Sequence, residues 1–225
     1  VFAIMLSATG LGLLFGSSQP ASTQAKVSAD ETTNTTWYND WTYSTNSDST
    51  ISLTAYNGSA ATYTVPATAT INGKVYSVIF GSGSPSDYSA QVELGSITNL
   101  SFEKGVKFPA NSKLLFYKSK LVSLDLSGVD TSEVTDMSYM FSACYSLTSL
   151  NLSNFDTSSV ENMDLMFNYC ESLTELNVSS FNTANVTKMR GMFMRCSKLE
   201  RLDLSNFTFK ETFNETFKVK EGVLT

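Results

Sequence analysis

One sequence motif recurs along this chain with a constant period of 26 residues. The first leucine of each copy stands at Leu121, Leu147, Leu173 and Leu199. One cysteine per complete copy stands at Cys144, Cys170 and Cys196. A fixed period between about 20 and 50 residues indicates stacked coils that share one continuous core. The repeat therefore predicts a solenoid before any single element is considered.

Each copy opens with a leucine pattern that predicts a strand. In the copy that begins at Leu147 the spacing is L-x-x-L-x-L, the strand signature of a leucine-rich repeat. Side chains alternate along a strand, so Leu150 and Leu152 point inward and the residues between them face solvent. Phe155 then closes the coil toward the core. Stacked copies are expected to form a parallel sheet.

The second half of each copy has a helical spacing. In the same copy the apolar residues are separated by three, three, one and three positions. They are Val160, Met163, Met166, Phe167 and Cys170. Ser158 and Glu161 fit a capping box at the start of this segment. The pattern predicts an α/β leucine-rich-repeat solenoid, with a parallel strand and a short helix in every coil.

The full motif resembles a known bacterial repeat. The string L-x-x-L-x-L-S-x-F-D-T-S-x-V-x-x-M-x-x-M-F-x-x-C stands almost intact from Leu147 to Cys170, and from Leu173 to Cys196 with Asn182 in place of Asp. It is similar to the BspA-like leucine-rich-repeat surface proteins, most of all to their 26-residue lactobacillal surface-protein repeat of unknown function. The resemblance implies a secreted or wall-attached protein associated with adhesion to host surfaces and other cells.

The N-terminal 29 residues have the features of a signal peptide. An apolar run covers residues 1–16, too short to cross a bilayer as a helix. Val27-Ser28-Ala29 provides an A-x-A-like cleavage site. The charged n-region is missing, so we expect a truncated reading frame and a mature chain that begins at Asp30. A buried core helix is the alternative. Export predicts a secreted or cell-surface protein without a transmembrane segment in its mature chain.

Between the signal peptide and the repeats the sequence predicts two further regions. Residues 30–50 are rich in Thr, Ser and Asn and predict a polar arm, whose aromatic residues around Trp37 and Trp41 either cover the first coil or form a contact patch. Residues 51–91 contain two hairpin signals, Asn57-Gly58 and Asn72-Gly73. They predict a small antiparallel β cap on the N-terminal edge of the solenoid. An independent ligand-binding domain is the alternative.

The solenoid itself is predicted to span residues 92–210. Residues 92–120 carry a degenerate copy and predict an irregular first coil, while regular repeats begin at 121. Residues 211–225 lose the pattern and form a C-terminal stub.

The predicted outward residues of the sheet are the candidate binding face. They differ between copies while the core positions barely change, which fits recognition and also fits plain solvation. They are Ser123, Asp125, Ser149, Asn151, Glu175, Asn177, Arg201 and Asp203. The serine two residues further on is identical in all copies, at Ser127, Ser153, Ser179 and Ser205, and indicates a structural role in the turn. Asp130, Asp156 and Asn182 form a ladder that fits either turn formation or, less well, calcium binding.

Composition argues against several functional classes. The chain has no histidine, which removes Ser-His and Cys-His nucleophile pairs, and no carboxylate pair stands out. We expect no enzyme, no catalytic residue, no cofactor and no metal. A net charge of −6 without a basic cluster argues against nucleic acid as a partner. The three cysteines predict buried free thiols, because coils of a solenoid usually stand too far apart for disulfides.

Two functional hypotheses follow from the sequence. In the first, the protein mediates adhesion by binding a host or cell-surface protein or glycan through the exposed sheet face. In the second, it is a structural spacer or stalk segment of a longer wall-attached protein. Both predict a monomeric solenoid.

Overall fold

A computed structural model of the chain describes residues 36–84 and 91–208, together with 219–220 and 223–224. The predicted signal peptide, the start of the predicted polar arm and most of the predicted C-terminal stub lie outside the described residues. Among the described residues no helix is long and apolar enough to cross a membrane.

The described part contains ten strands and one short 3₁₀ helix, Trp37–Asp40. The strands are β1 Trp41–Thr45, β2 Thr50–Tyr56, β3 Thr62–Val65, β4 Thr68–Ile71, β5 Lys74–Phe80, β6 Asn99–Phe102, β7 Ser123–Asp125, β8 Ser149–Asn151, β9 Val219–Lys220 and β10 Val223–Leu224. β9 and β10 form an antiparallel pair.

The predicted parallel sheet of the solenoid is confirmed. Its strands follow the order β3-β6-β7-β8, and each neighbouring pair is parallel. Leu100 pairs with Leu124, and Leu124 with Leu150, so equivalent positions of successive coils are in register. Beyond β8 the described strand wall continues as one isolated bridge between Glu175 and Arg201.

The predicted helices are wrong. In the described residues the second half of each coil is a series of turns, and these segments stack on one another over residues 112–120, 137–145, 163–171 and 189–197. We call this stack the turn wall. In the second segment the N–H groups of Met140, Ser142 and Cys144 each donate to the carbonyl three residues earlier. Tyr139 and Ala143 have φ of 57° and 60°, which suits the third position of a type II turn.

The other backbone groups of the turn wall bond between coils. The N–H groups of Met137, Tyr139, Phe141 and Ala143 donate to carbonyls of the next coil at 2.7–2.9 Å. Equivalent ladders join the first segment to the second and the third to the fourth at 2.7–3.0 Å. In an α-helix over the same segment, the N–H groups of Phe141 and Ala143 would instead bond to carbonyls four residues earlier in the segment. A helix about 10 Å wide would also not stack at the roughly 4.8 Å spacing of parallel strands.

The inward residues of the turn wall are nevertheless those the helical spacing selected. Val160, Met163, Met166, Phe167 and Cys170 are all fully buried. Consecutive turns return side chains to the core every three or four residues, as a helix does. The apolar period therefore indicated the correct buried set but not the backbone conformation.

Two phenylalanine ladders run through the core and join successive coils. The rings of Phe116, Phe141, Phe167 and Phe193 stack with centroid distances of 5.4–5.6 Å and interplanar angles of at most 10°. A second ladder of Phe155, Phe181 and Phe207 has centroid distances of 6.2 Å. Phe155 thus points inward as predicted. Stacking supplies each coil with apolar contacts that it could not make alone.

The N-terminal cap has a mixed sheet rather than an antiparallel one. Its strand order is β1-β2-β5-β4, and β2 pairs with β5 in parallel. Asn72-Gly73 does connect an antiparallel hairpin, with φ of 50° and 78°. The hairpin predicted at Asn57-Gly58 is wrong, because β3 leaves the cap and pairs with β6 of the solenoid.

Trp41 of the predicted arm packs into the N-terminal cap and against β3, the strand that pairs with the first coil. Trp41 is buried, and its ring lies 5.1 Å from that of Tyr56 and 5.7 Å from those of Tyr63 and Phe80. From Thr36 onward this segment is therefore an ordered part of the cap, not a loose arm, because burying these rings offsets the entropy lost on ordering the chain.

Candidate functional site

The eight predicted face residues form two columns on the outer side of the parallel sheet. Backbone pairing places Ser123 beside Ser149 and Asp125 beside Asn151. Glu175 lies beside Arg201 in the last described coils. Column one consists of Ser123, Ser149, Glu175 and Arg201, and column two of Asp125, Asn151, Asn177 and Asp203. Six of the eight are exposed, whereas Ser123 and Asp125 are half-buried.

Column two closes turns. The side-chain oxygen of Asp125 accepts a hydrogen bond from the N–H of Ser127 at 3.0 Å. Asn151, Asn177 and Asp203 accept equivalent bonds at 2.9–3.1 Å. The bond from Ser205 also lowers the pKa of Asp203. Asn151 additionally donates to Asp125 across the coils at 3.0 Å. These side chains are Asx-turn formers, which agrees with the predicted structural role of the repeated serine.

Column one leaves its side chains to solvent. Within the described residues no side-chain hydrogen bond or ion pair involves Ser149, Glu175 or Arg201. Glu175 and Arg201 are cross-strand neighbours of opposite charge. Of the eight candidates, Ser149, Glu175 and Arg201 are thus exposed with all of their side-chain donors and acceptors available to a partner.

The Asp130, Asp156 and Asn182 ladder also forms turns. Each side chain accepts a hydrogen bond from the N–H two residues later, at 2.9–3.1 Å. The Ser132 hydroxyl and N–H, aided by the Lys107 ammonium, lower the pKa of Asp130. In the described residues no group of three His, Cys, Asp or Glu side chains is placed to hold a metal ion.

Buried threonines bond neighbouring coils to one another. Thr157 donates to the carbonyl of Asn182 at 2.9 Å and accepts the N–H of Asn182 at 2.8 Å. Thr131 does the same with Asp156, at 2.9 Å in both directions. The D-T-S part of the motif therefore positions the coils, and its threonine is structural.

The cysteines are buried free thiols, as predicted. Each Sγ donates to a phenylalanine carbonyl of the preceding coil at 3.1 Å. Burial raises the pKa of Cys144 to about 11 and that of Cys196 to about 12, and it also raises the pKa of Cys170. The wide coil spacing expected from the sequence is wrong for this wall, because hydrogen-bonded coils stand at a Cα spacing that a disulfide could span.

The turn wall carries a group of exposed side chains that the sequence interpretation did not single out. Tyr145 is 50% exposed and Met194 39% exposed, beside the half-buried Tyr169 and the exposed Arg195. The rings of Tyr145 and Tyr169 lie 6.1 Å apart, and Arg195 Cζ lies 5.6 Å from the centre of the Tyr169 ring. Their sequence signal was the variability of the positions that flank the repeated Phe and Cys.

A known family model matches the repeat region. The family described as "Mycoplasma protein of unknown function, DUF285" matches residues 110–222, which are 113 of the 225 residues. No curated protein matches the sequence.

Several solved structures are similar to this chain. A leucine-rich repeat protein from Bacteroides ovatus has 19% identity and a TM-score of 0.48, covering 72% of this chain and 39% of its own. A leucine rich cell surface protein from Faecalibacterium prausnitzii has 19% identity and a TM-score of 0.32, with coverages of 72% and 52%. The T. pallidum Leucine Rich Repeat protein has 18% identity and a TM-score of 0.35, with coverages of 73% and 90%. This chain thus spans about two fifths to one half of the first two structures.

Proposed function

The chain belongs to the DUF285 family of proteins of unknown function, and from this premise we propose that it is a secreted or cell-surface binding module. Its ligand is a host or cell-surface protein or glycan, bound through the exposed strand face. The module acts in adhesion, and it needs no catalytic residue and no cofactor.

The observation that carries this proposal is the contrast between the two sides of the strand wall. Inward residues repeat from coil to coil and are buried, as at Leu124 and Leu152. The exposed residues of column one change from Ser149 to Glu175 to Arg201 over three successive coils. Turn formation accounts for the repetition of column two, but no contact within the described residues accounts for the choice of side chains in column one.

The extended shape of a solenoid face supports binding of a large ligand. A stack of coils presents its outward side chains in parallel rows, so one long partner contacts several coils at once. Glu175 and Arg201 offer both signs of charge side by side, which favours a partner whose charges alternate in the same way.

The proposal is tested by binding to an array of matrix proteins, mucins and glycans. The wild-type chain is compared with a variant that combines Ser149→Ala, Glu175→Ala and Arg201→Ala. A matched control combines Ser146→Ala, Glu93→Ala and Lys104→Ala, which likewise removes one hydroxyl, one carboxylate and one positive charge from exposed positions elsewhere. Loss of binding in the first variant alone, with unchanged thermal unfolding, is the expected result.

A structural spacer is the second candidate. The coil-to-coil hydrogen bonds and the phenylalanine ladders join successive coils continuously, which suits a stalk. Absence of binding anywhere on the array would favour the spacer. Equal binding by all three proteins would move the ligand site away from the strand face.

A further inference from the structure

A second surface of the molecule has the composition of a binding site and lies on the turn wall. We call Tyr145, Tyr169, Met194 and Arg195 the tyrosine–arginine patch. Four large hydrophobic side chains are exposed in the described residues, and two of them, Tyr145 and Met194, belong to this patch. The four residues come from three successive coils, so the stacking of the solenoid brings them together.

Three side chains of the patch, those of Tyr145, Tyr169 and Arg195, lie against one another. The Tyr145 and Tyr169 rings meet edge to face, with an interplanar angle of 68°. The Arg195 guanidinium lies within cation–π distance of the Tyr169 ring. Such contacts hold rings and guanidinium in one arrangement without using the hydrogen-bond donors of arginine.

The charge of Arg195 is not neutralised by a carboxylate. Both ion pairs within the described residues involve Lys107. The three segments that carry the patch contain Arg190 and Arg195 against Asp164 and Glu171. The positive charge offered to an anion at the patch is therefore that of the Arg195 guanidinium itself.

The backbone beneath the patch is fixed. Tyr169 and Arg195 have φ of 59° and 64°, a conformation that costs a residue with a side chain about 1–2 kcal/mol. The bond from Tyr169 N–H to Met194 carbonyl, 2.9 Å long, holds the two coils together. A surface organised in advance loses little conformational entropy when it binds.

We propose that the tyrosine–arginine patch binds a glycan chain that carries carboxylates. Arginine pairs with a carboxylate through two parallel hydrogen bonds. Tyrosine rings offer an apolar surface for the C–H face of a sugar ring and a hydroxyl for its polar edge. The Phe rings beneath are spaced 5.4–5.6 Å from coil to coil, which is close to the length of one sugar unit. Successive sugars of one chain then contact successive coils.

The test uses hyaluronan oligosaccharides, whose alternate sugars carry a carboxylate, with neutral dextran of similar length as the comparison. Binding to the whole chain is measured by calorimetry at low ionic strength. Arg195→Gln is expected to weaken hyaluronan binding by about tenfold, because one charge-assisted bidentate contact is lost. Tyr145→Ala is expected to weaken it by a smaller factor. Added salt weakens binding to the wild type.

Lys104→Gln serves as the control, since it removes one positive charge from an exposed position outside both the patch and the strand face. It should leave hyaluronan affinity unchanged. Equal weakening by Lys104→Gln would mean general charge attraction and would overturn the proposal. Binding of dextran as tight as that of hyaluronan, no binding of hyaluronan, or binding of polyglutamate in its place would overturn it as well.

Discussion

The two walls of the solenoid differ in how their backbones are bonded. The strand wall contains the regular elements β6, β7 and β8, yet after β8 its described ladder is reduced to the bridge between Glu175 and Arg201. The turn wall contains no helix or strand in its described segments, yet its coil-to-coil bonds continue through all four. The wall without regular secondary structure is the more regularly hydrogen-bonded of the two.

The spacing between coils therefore limits which backbone conformations a repeat can adopt. Along the turn wall the N–H groups alternate, one bonding within a turn of its own coil and the next bonding to a carbonyl of the following coil. Both walls can then stack at the same spacing of roughly 4.8 Å. The buried backbone groups are satisfied without a helix, as a stable interior requires.

The largest expected effect comes from removing a ring of the turn wall. Phe167→Ala interrupts the ladder between Phe141 and Phe193 and should lower the free energy of unfolding by about 3–5 kcal/mol. Leu150→Ala on the strand wall is the comparison and should cost less, since Leu150 is only partly buried. Urea unfolding followed by tyrosine and tryptophan fluorescence measures both. Equal losses would contradict the view that the fully buried ring ladder contributes more to the core than the partly buried Leu150.

A smaller loss is expected when the buried threonine of one coil is replaced. Thr157→Val leaves the N–H and the carbonyl of Asn182 without their partner, at a cost of about 1–3 kcal/mol. Thr148→Val is the control, because the exposed Thr148 hydroxyl donates to the Val122 carbonyl at the surface. Its cost should stay within about 0.5 kcal/mol. A neutral Thr157→Val would mean that the threonine ladder does not bond the coils.

The thiols of the turn wall predict a decline of stability at alkaline pH. Burial raises the pKa of Cys144 from 9.0 to about 11, so the unfolded chain loses this proton first as the pH rises. The folded state then binds more protons than the unfolded state, and the free energy of unfolding falls between about pH 9 and pH 11. Denaturant unfolding at a series of pH values measures the decline. A variant with Cys144→Ala, Cys170→Ala and Cys196→Ala should show a shallower one, and an identical slope would refute the assignment.

The sequence predicted the solenoid and its buried residues because both depend on the period of the apolar side chains. Leu124, Phe155 and Met163 are buried where the repeat places them. The inward phenylalanine after each strand, the turn role of Ser153 and the free state of Cys170 could also be predicted from one copy and its repetition.

The backbone of the turn wall could not be predicted in the same way. The spacing at Val160, Met163 and Met166 fits a helix and a series of turns equally well, since both return a side chain inward after three residues. Residues in the left-handed conformation are usually Gly or Asn, which can be recognised in a sequence. In the turn wall only Gly191 is of this kind, whereas Tyr139 and Leu165 adopt the same conformation without that signal.

The candidate sites show a similar division. Alternation along the strand predicted which side chains face outward, but not that Asn151 and Asn177 would be occupied by turns, because Asx turns depend on local backbone geometry. The tyrosine–arginine patch depends on contacts between coils. Tyr145 and Arg195 are 50 positions apart in the chain, and no pattern within one copy relates them.

The stabilities of a glycine and an alanine variant at one exposed position distinguish a turn wall built of turns with left-handed residues from one built of helices. At Arg195, φ is 64°, so Arg195→Gly should be more stable than Arg195→Ala by about 1 kcal/mol. At Ser197, where φ is not positive, the order should reverse by about 0.4–1 kcal/mol. The four free energies of unfolding are measured in urea. If Arg195→Ala were instead the more stable variant by about 1 kcal/mol, as expected in a helix, the turn wall would not be built of such turns.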